Sequence, residues 1–314
     1  MAVFRLKPTR EALHGALSPE LPAAVTIDSG DSVEFETLEA DWRTEKCMEP
    51  RSGSGMFFPR SRETDCGQAL MGPVYVRGAE PGMTLAVHVD ELVPGNWGWS
   101  RVGMGDPDHL RRIGCGEGEY FLTWDIDREN KTCMSNEGHR VALRPFMGIY
   151  AVVPAGEEAF TTYVPGAHGG NLDCKELAAG STIYFPAFHE GALFSLGDGH
   201  AAQGNGESGC TAIECPYEKV KITFELVHEE AEFLAADTPA GWITFGYGGD
   251  LTDAAYMALG HMVRFMEKKY GFHKREALAM ASLLVDLNVT QVVNGVRGVH
   301  AVLPHESIKK RPEE

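Results

Sequence analysis

The sequence is short of positive charge. Against 45 Asp and Glu it carries only 28 Lys and Arg, a formal net charge of −17. A field of that sign opposes phosphate backbones and anionic lipid, so neither nucleic acid nor a membrane surface is expected as a partner. It favours cations and neutral ligands. The seven cysteines form no CxxC pair and no regular spacing, which argues against a disulfide framework and for a reducing compartment. No apolar run of signal-peptide length follows Met1-Ala2-Val3-Phe4-Arg5. No window approaches the roughly 20 apolar residues of a membrane span, so a cytoplasmic protein is the expectation. Familiar catalytic signatures are missing too. There is no GxSxG elbow, no HExxH, no phosphate-binding GxxxxGKS/T, and no GxGxxG that opens a helix after a strand. A dinucleotide cofactor is therefore not expected.

Glycine and proline are plentiful, at 36 and 17, and spread along the chain. That distribution reads as many turns, hence many short strands. Apolar residues reach 43%, ample for a core. At 314 residues the chain exceeds the size at which one simple core stops growing. The expected organisation is a β-rich lobe over 1–144 and a second β-rich lobe over 145–314. The fold class is mainly β (α+β), with sandwich- or barrel-like sheets. Alternation supports strands at 32–36, with Val33 and Phe35 on one face, at 84–92, with Leu85, Val87 and Val89 inward, and at 221–227. Two helices are inserted late, over about 252–285. Thr252 is the expected cap of the first, Ala255, Leu259, Met262, Val263 and Met266 its apolar stripe, and Gly271 its end. Segments 289–293 and 296–303 flank Asn294-Gly295, a strong hairpin signal.

Candidate chemistry is concentrated in residues 165–215. His168-Gly169-Gly170-Asn171-Leu172-Asp173 reads as one glycine-rich loop, and Gly197-Asp198-Gly199-His200 with Gln203-Gly204-Asn205-Gly206-Glu207 as another. Glu214 interrupts a stretch of small residues, where a bare buried carboxylate is costly. Glycine lets backbone approach a ligand closely, and His, Asp and Glu are the ligands of a catalytic divalent site, zinc especially. Asp198 and His200 are two apart, so an extended backbone places both on one face. The plainer reading is also open: Asp in a glycine-rich loop most often bonds its own backbone. Cys174, next to the first loop, reads either as a nucleophile or as a small buried hydrophobe.

The two loops resemble the acetamidase/formamidase family. Similarity extends to Gly72-Pro73-Val74-Tyr75-Val76, Gly78-Ala79-Glu80-Pro81-Gly82, Pro145-Phe146-Met147-Gly148, Asp286-Leu287 and Gln291-Val292-Val293, so it covers nearly the whole chain. The resemblance implies hydrolysis of short aliphatic amides to ammonia and a carboxylate, a mostly β fold with a late helical insertion, a soluble oligomer, and a site holding zinc or another divalent ion. Two positions depart from the family pattern: Asn205 stands where Asp is common, and Gln68 where His is common.

On that resemblance Asp198, His200 and Glu214 are the expected metal ligands, with His168 and Asp173 as further ligands or as groups that orient them. The ion would activate water and polarise the carbonyl. Glu207 is the expected proton shuttle, and Asp41 reaches the site from the N-terminal lobe. Gly169 and Gly170 would form an oxyanion hole, and Asn171 and Gln203 would bind a small neutral amide. A homodimer or dimer of dimers would cover the edge of the terminal hairpin. Two rivals share these residues: a C–N hydrolase for a larger amide, and a non-catalytic β protein that binds calcium or a small ligand.

Overall fold

The computed structural model describes residues 1–48, 55–61, 64–103, 107–116 and 118–309. Two large sheets face one another. The first has nine strands, in the order Val3–Leu6, Ser32–Thr37, Tyr217–Val227, Thr84–Pro94, Thr182–Pro186, Ala235–Thr238, Gly241–Gly248, Val296–Leu303 and Asp286–Asn294. The second runs Gly169–Asn171, Phe146–Val152, Phe194–His200, Leu70–Val76 and Leu13–His14, with Val25–Ile27 also paired to Leu70–Val76. One apolar core joins them. Phe35, Leu85, Val87, Ile222 and Phe224 come from the first sheet, and Val74, Met147, Tyr150, Phe194 and Leu196 from the second. The Phe194 ring meets Phe224 edge-on at 5.2 Å, a favoured aromatic geometry. A smaller antiparallel sheet, Trp97–Val102 to Arg140–Ala142, flanks the pair.

The alternating strands behave as their patterns require. Val33, Phe35, Leu85, Val87, Ile222 and Phe224 are fully buried, while Glu34 faces outward opposite Lys221. Residue 145 does not separate the sheets, because each large sheet takes strands from both 1–144 and 145–314. A composition-based boundary cannot reveal such interleaving, since strand partners here are far apart in sequence.

The late helices are Leu251–Tyr270 and Lys274–Leu284. Asp250, not Thr252, caps the first: its carboxylate accepts from the backbone N–H of Thr252 at 2.7 Å and of Asp253 at 3.0 Å. Gly271 ends it in the left-handed conformation. The buried stripe keeps Met262, Val263 and Met266 but begins at Ala254 and Ala258, with Ala255 and Leu259 only half-buried. Close approach decides this. A Cβ on Gly246 of the neighbouring strand would stand 2.1 Å from the Ala254 carbonyl oxygen, so only small residues fit that face. The hairpin forms as Asp286–Asn294 and Val296–Leu303 around Gly295 at φ 78°, and Asp286–Asn294 is an edge strand of the nine-stranded sheet.

Candidate active site

The site grows from the middle of the six-stranded sheet. Strand Phe194–His200 pairs with Phe146–Val152, His200 opposite Phe146 and Gly197 opposite Ile149. Gly197-Asp198-Gly199-His200 is therefore strand, not the loop its glycines suggest. Those glycines make room. A Cβ on Gly197 would lie 2.3 Å from the Ala69 carbonyl oxygen, and one on Gly199 2.4 Å from the Tyr217 ring. The Tyr217 hydroxyl donates to the carbonyls of His200 at 2.8 Å and Phe146 at 3.0 Å, which fixes the strand end.

Gly148 forms the floor. A Cβ there would meet Asp173 Oδ1 at 2.7 Å, and Asp198 Oδ2 and His200 Cε1 each at 2.8 Å. Three side chains thus converge over one missing methyl. Asp173 arrives from the turn after Gly169–Asn171, held by its own N–H on the Gly148 carbonyl at 3.1 Å. Glu214 arrives from a short stretch bridged to both Trp99 and His200. His200 Nε2 lies 3.3 Å from Asp198 Oδ1 and 3.2 Å from Glu214 Oε2, and His200 Nδ1 lies 3.9 Å from Asp173 Oδ1. Donor atoms of Asp173, Asp198 and His200 all fall within 4.8 Å of one another.

The cluster is dry. Asp173 and His200 are each 1% exposed, and Asp198 and Glu214 4%, so bulk water does not solvate these charges. Asp173 Oδ1, His200 Nδ1, Glu207 Oε2 and Glu214 Oε2 are buried without a hydrogen-bond partner among the described residues. Burial raises the Asp173 carboxyl to about 6, with Asp198 adding to the rise against the pull of His200. It raises Glu214 to about 7 and carries Glu207 well above the carboxylate range, helped by Asp173. Burial disfavours protonated His200, but Glu214 and Asp198 outweigh it and lift the imidazole well above its ordinary value. Asp173, Asp198 and Glu207 also hold left-handed backbone, at φ 49°, 59° and 43°. Non-glycine residues adopt this at a cost of about 1–3 kcal/mol, typically where function demands it. Orphaned acceptors, mixed imidazole and carboxylate donors, and a floor kept open by glycine fit a divalent cation.

A cavity of about 340 Å³ opens onto the cluster, lined by Asp41, Gln68, Trp99, Tyr163, Asn171, Asp198, Glu207, Glu214 and Asn294 among others. Asp41 comes to the cavity wall from the N-terminal stretch. Burial raises its carboxyl, against the pull of Arg101 and Arg43. Gln68 stands at the wall, its side-chain oxygen accepting from the Thr162 hydroxyl. A more open cavity of about 480 Å³ adjoins and shares Glu207; Gln203 and the exposed Asn205 line it.

Several expected residues sit elsewhere or are already engaged. His168 lies outside the group formed by Asp173, Asp198 and His200. Its ring packs edge-on against Phe160 at 5.0 Å, and burial holds it near pKa 4. The Gly169 N–H donates to the Gly166 carbonyl at 3.1 Å, so it does not serve an oxyanion hole. Gly170 pairs with Tyr150 in the sheet, and neither glycine lines the cavity. Gln203 Nε2 donates to the Asp173 carbonyl at 2.9 Å and supports that turn. Asn171 does line the cavity, with its Oδ1 buried and unpartnered.

Sequence reasoning missed two groups. Glu39 is fully buried, and its carboxylate accepts from the N–H groups of Arg43 at 2.6 Å and Asp41 at 3.1 Å and from Trp99 Nε1 at 2.7 Å. Burial lifts it to about 8. It orients the loop that carries Asp41. The other is Asn294, at the hairpin tip, whose amide donates to Asp173 Oδ2 and, at 3.2 Å, to the Asn171 carbonyl. An Asn-Gly signal marks a turn but says nothing about where its tip lands.

The sheets and the cluster define a β-sandwich protein with a buried carboxylate–imidazole pocket between strand ends. Comparison with known proteins narrows that class. The sequence profile of the Acetamidase/Formamidase family matches residues 130–242, about a third of the chain. The chain is 26% identical over 256 residues to the formamidase of Methylophilus methylotrophus, covering 64% of this chain and 61% of that protein. It is likewise 26% identical over 261 residues to the acetamidase of Mycolicibacterium smegmatis, covering 64% and 63%. The matched part thus spans about three-fifths of these relatives' length. The crystal structure of an acetamidase from Bacillus halodurans superposes with a TM-score of 0.83 at 27% identity, over 96% of this chain and 97% of that one.

Proposed function

We propose that the protein is an amidohydrolase that adds water across the C–N bond of short aliphatic amides such as formamide and acetamide, releasing ammonia and the carboxylate. The observation that carries this reading is the dry Asp173–Asp198–His200–Glu214 cluster, open to a cavity walled by further acids. Asp173, Asp198 and His200 are the groups to hold a divalent ion, with Glu214, which faces the same imidazole nitrogen as Asp198, as a further ligand. Zinc suits that mixed donor set; calcium would use the carboxylate oxygens alone. Such an ion supplies positive charge for the carbonyl oxygen and acidifies a neighbouring water.

The rest is done by side chains. Glu207, held protonated by burial and by Asp173, has a proton to give the leaving nitrogen. Asp41 keeps a second acid at the cavity wall. Asn171 Oδ1, buried and unpartnered, is an acceptor for the substrate amide N–H. The acidic lining repels amides that bear a carboxylate and admits neutral ones.

Leu287 and Val289 on the edge strand and Leu283 on the preceding helix are exposed, which supports pairing into a homodimer or dimer of dimers through that edge. Among the described residues no helix is long and apolar enough to cross a membrane. All seven cysteines are free thiols, which supports a cytoplasmic location. A panel of formamide, acetamide, a longer amide and a charged amide, with metal supplied, tests the reading. Ammonia from the short neutral amides supports it; ammonia from none of them leaves the chain a cation-binding protein.

A further inference from the structure

We propose that Cys174, Glu176 and His300 form a second cation site, distinct from the acid cluster, that takes a zinc-class ion. The three come from two places in the chain: Cys174 and Glu176 from the turn after Asp173, His300 from strand Val296–Leu303. Their donor atoms fall within 4.8 Å of one another. Cys174 Sγ lies 3.4 Å from Glu176 Oε2, and His300 Nε2 lies 3.4 Å from the same oxygen. Tetrahedral zinc, with bonds of about 2.0–2.3 Å, spaces its ligand atoms about 3.3–3.6 Å apart. The 3.4 Å from His300 Nε2 to Glu176 Oε2 matches a coordination shell better than the shorter spacing of a nitrogen-to-oxygen hydrogen bond, while the sulfur-to-oxygen separation is also that of the thiol's hydrogen bond to the carboxylate.

The imidazole is set for such a role. His300 is fully buried, and its Nε2 has no hydrogen-bond partner among the described residues. On the other side, Nδ1 lies 2.8 Å from the hydroxyl of Thr290, itself fully buried. With the proton on Nδ1 and donated to that hydroxyl, Nε2 presents a lone pair to the Glu176 carboxylate. Two lone pairs facing each other in a buried site call for a positive centre between them.

Charge and softness select the ion. A thiolate, a carboxylate and a neutral imidazole carry two negative charges, matched by one divalent cation. Without the ion the Cys174 thiol donates its proton to Glu176 Oε2. Ion binding displaces that proton to solvent: the S–H bond breaks, the S–metal bond forms, and no oxidation is involved. A sulfur ligand disfavours calcium and magnesium and suits zinc or cobalt. Lys175 sits 3.9 Å from the other Glu176 oxygen and leaves Oε2 to the ion. Because Asp173 directly precedes Cys174, a bound ion would tie the Asp173 turn to the terminal strand.

Cobalt(II) tests this, because a thiolate ligand gives it a charge-transfer band in the near ultraviolet that carboxylates and imidazoles do not. The full chain loaded with cobalt should show the band. Cys174→Ser should abolish it and lose one equivalent of bound metal, and His300→Gln should weaken cobalt binding by about tenfold or more. His200→Ala should keep the band, which separates this site from the acid cluster. Glu176→Gln, at a partly exposed position, should shift or weaken the band even if Cys174→Ser does not fold. A wild-type chain with no thiolate band, or a band untouched by Cys174→Ser or by Glu176→Gln, overturns the proposal.

Discussion

The two glycine-rich stretches of the molecule use glycine for opposite ends. In His168-Gly169-Gly170 the glycines bend the chain: both hold φ near +85 to +89°, and the backbone turns back on the Gly166 carbonyl. In Gly197-Asp198-Gly199-His200 the glycines are ordinary strand residues pressed against Ala69 and Tyr217. There the left-handed conformation falls on Asp198. The first stretch is a device for chain reversal, and the second packs a strand tightly enough to bury an acid and an imidazole side by side. Neither glycine density nor crowding distinguishes them, since a Cβ on Gly169 would also stand 2.2 Å from the Tyr150 carbonyl oxygen; the distinction lies in the backbone, left-handed at Gly169 and Gly170 and not at Gly197 and Gly199.

The largest test of that contrast is at Gly148, whose missing side chain leaves room for Asp173, Asp198 and His200. Gly148→Ala should lower kcat/KM for formamide by about a hundredfold or more, since displacing reacting groups by an ångström costs that much. Bound metal should fall with it. Next is Gly199→Ala, where the new methyl meets the Tyr217 ring and the Cys215 carbonyl. Overpacking of a buried strand should cost about 3 kcal/mol, read from urea unfolding.

An effect of similar size belongs to the other end of the same strand. There His14 is buried against Ser195 Oγ at 2.9 Å, and burial holds it near pKa 4, against 6.5 as its ordinary value. Between those values the unfolded chain binds the proton and the folded chain does not. Stability from this group is therefore complete above about pH 6.5 and falls by about 1.4 kcal/mol per pH unit down to pH 4. His14→Gln should flatten that part of the stability profile. The smallest effect is expected at Gly204, where a Cβ meets nothing within 4 Å; Gly204→Ala should stay within about 0.5 kcal/mol of wild type. A large loss there, or none at Gly148, would break the contrast.

Local signals in the sequence sufficed where one residue type answers one local demand. The alternation at Val33 and Phe35, Gly271 after the helix, and the Asn294-Gly295 turn all appear in the expected places. So do the acids and the imidazole of the cluster: Asp198 and His200 fall together with Asp173 and Glu214. What stayed hidden depends on distant partners. Glu39 looks like any glutamate in a polar stretch until Trp99, 60 residues on, donates to it. His168 looks like a ligand until Phe160 and the Gly166–Gly170 turn enclose it. The C-terminal tip reaches Asp173 across 121 positions. Long-range contact of this kind leaves no periodicity to read.

The central claim is that Asp173, Asp198, His200 and Glu214 hold a cation for amide hydrolysis while Glu207 moves the proton. Metal content and ammonia release from formamide, measured on the same purified sample of wild type, His200→Ala and Glu207→Gln, test it most directly. The account predicts that His200→Ala loses one equivalent of metal and its ammonia release together, and that Glu207→Gln keeps its metal but loses ammonia release. A His200→Ala protein that retains full metal and full ammonia release would contradict it.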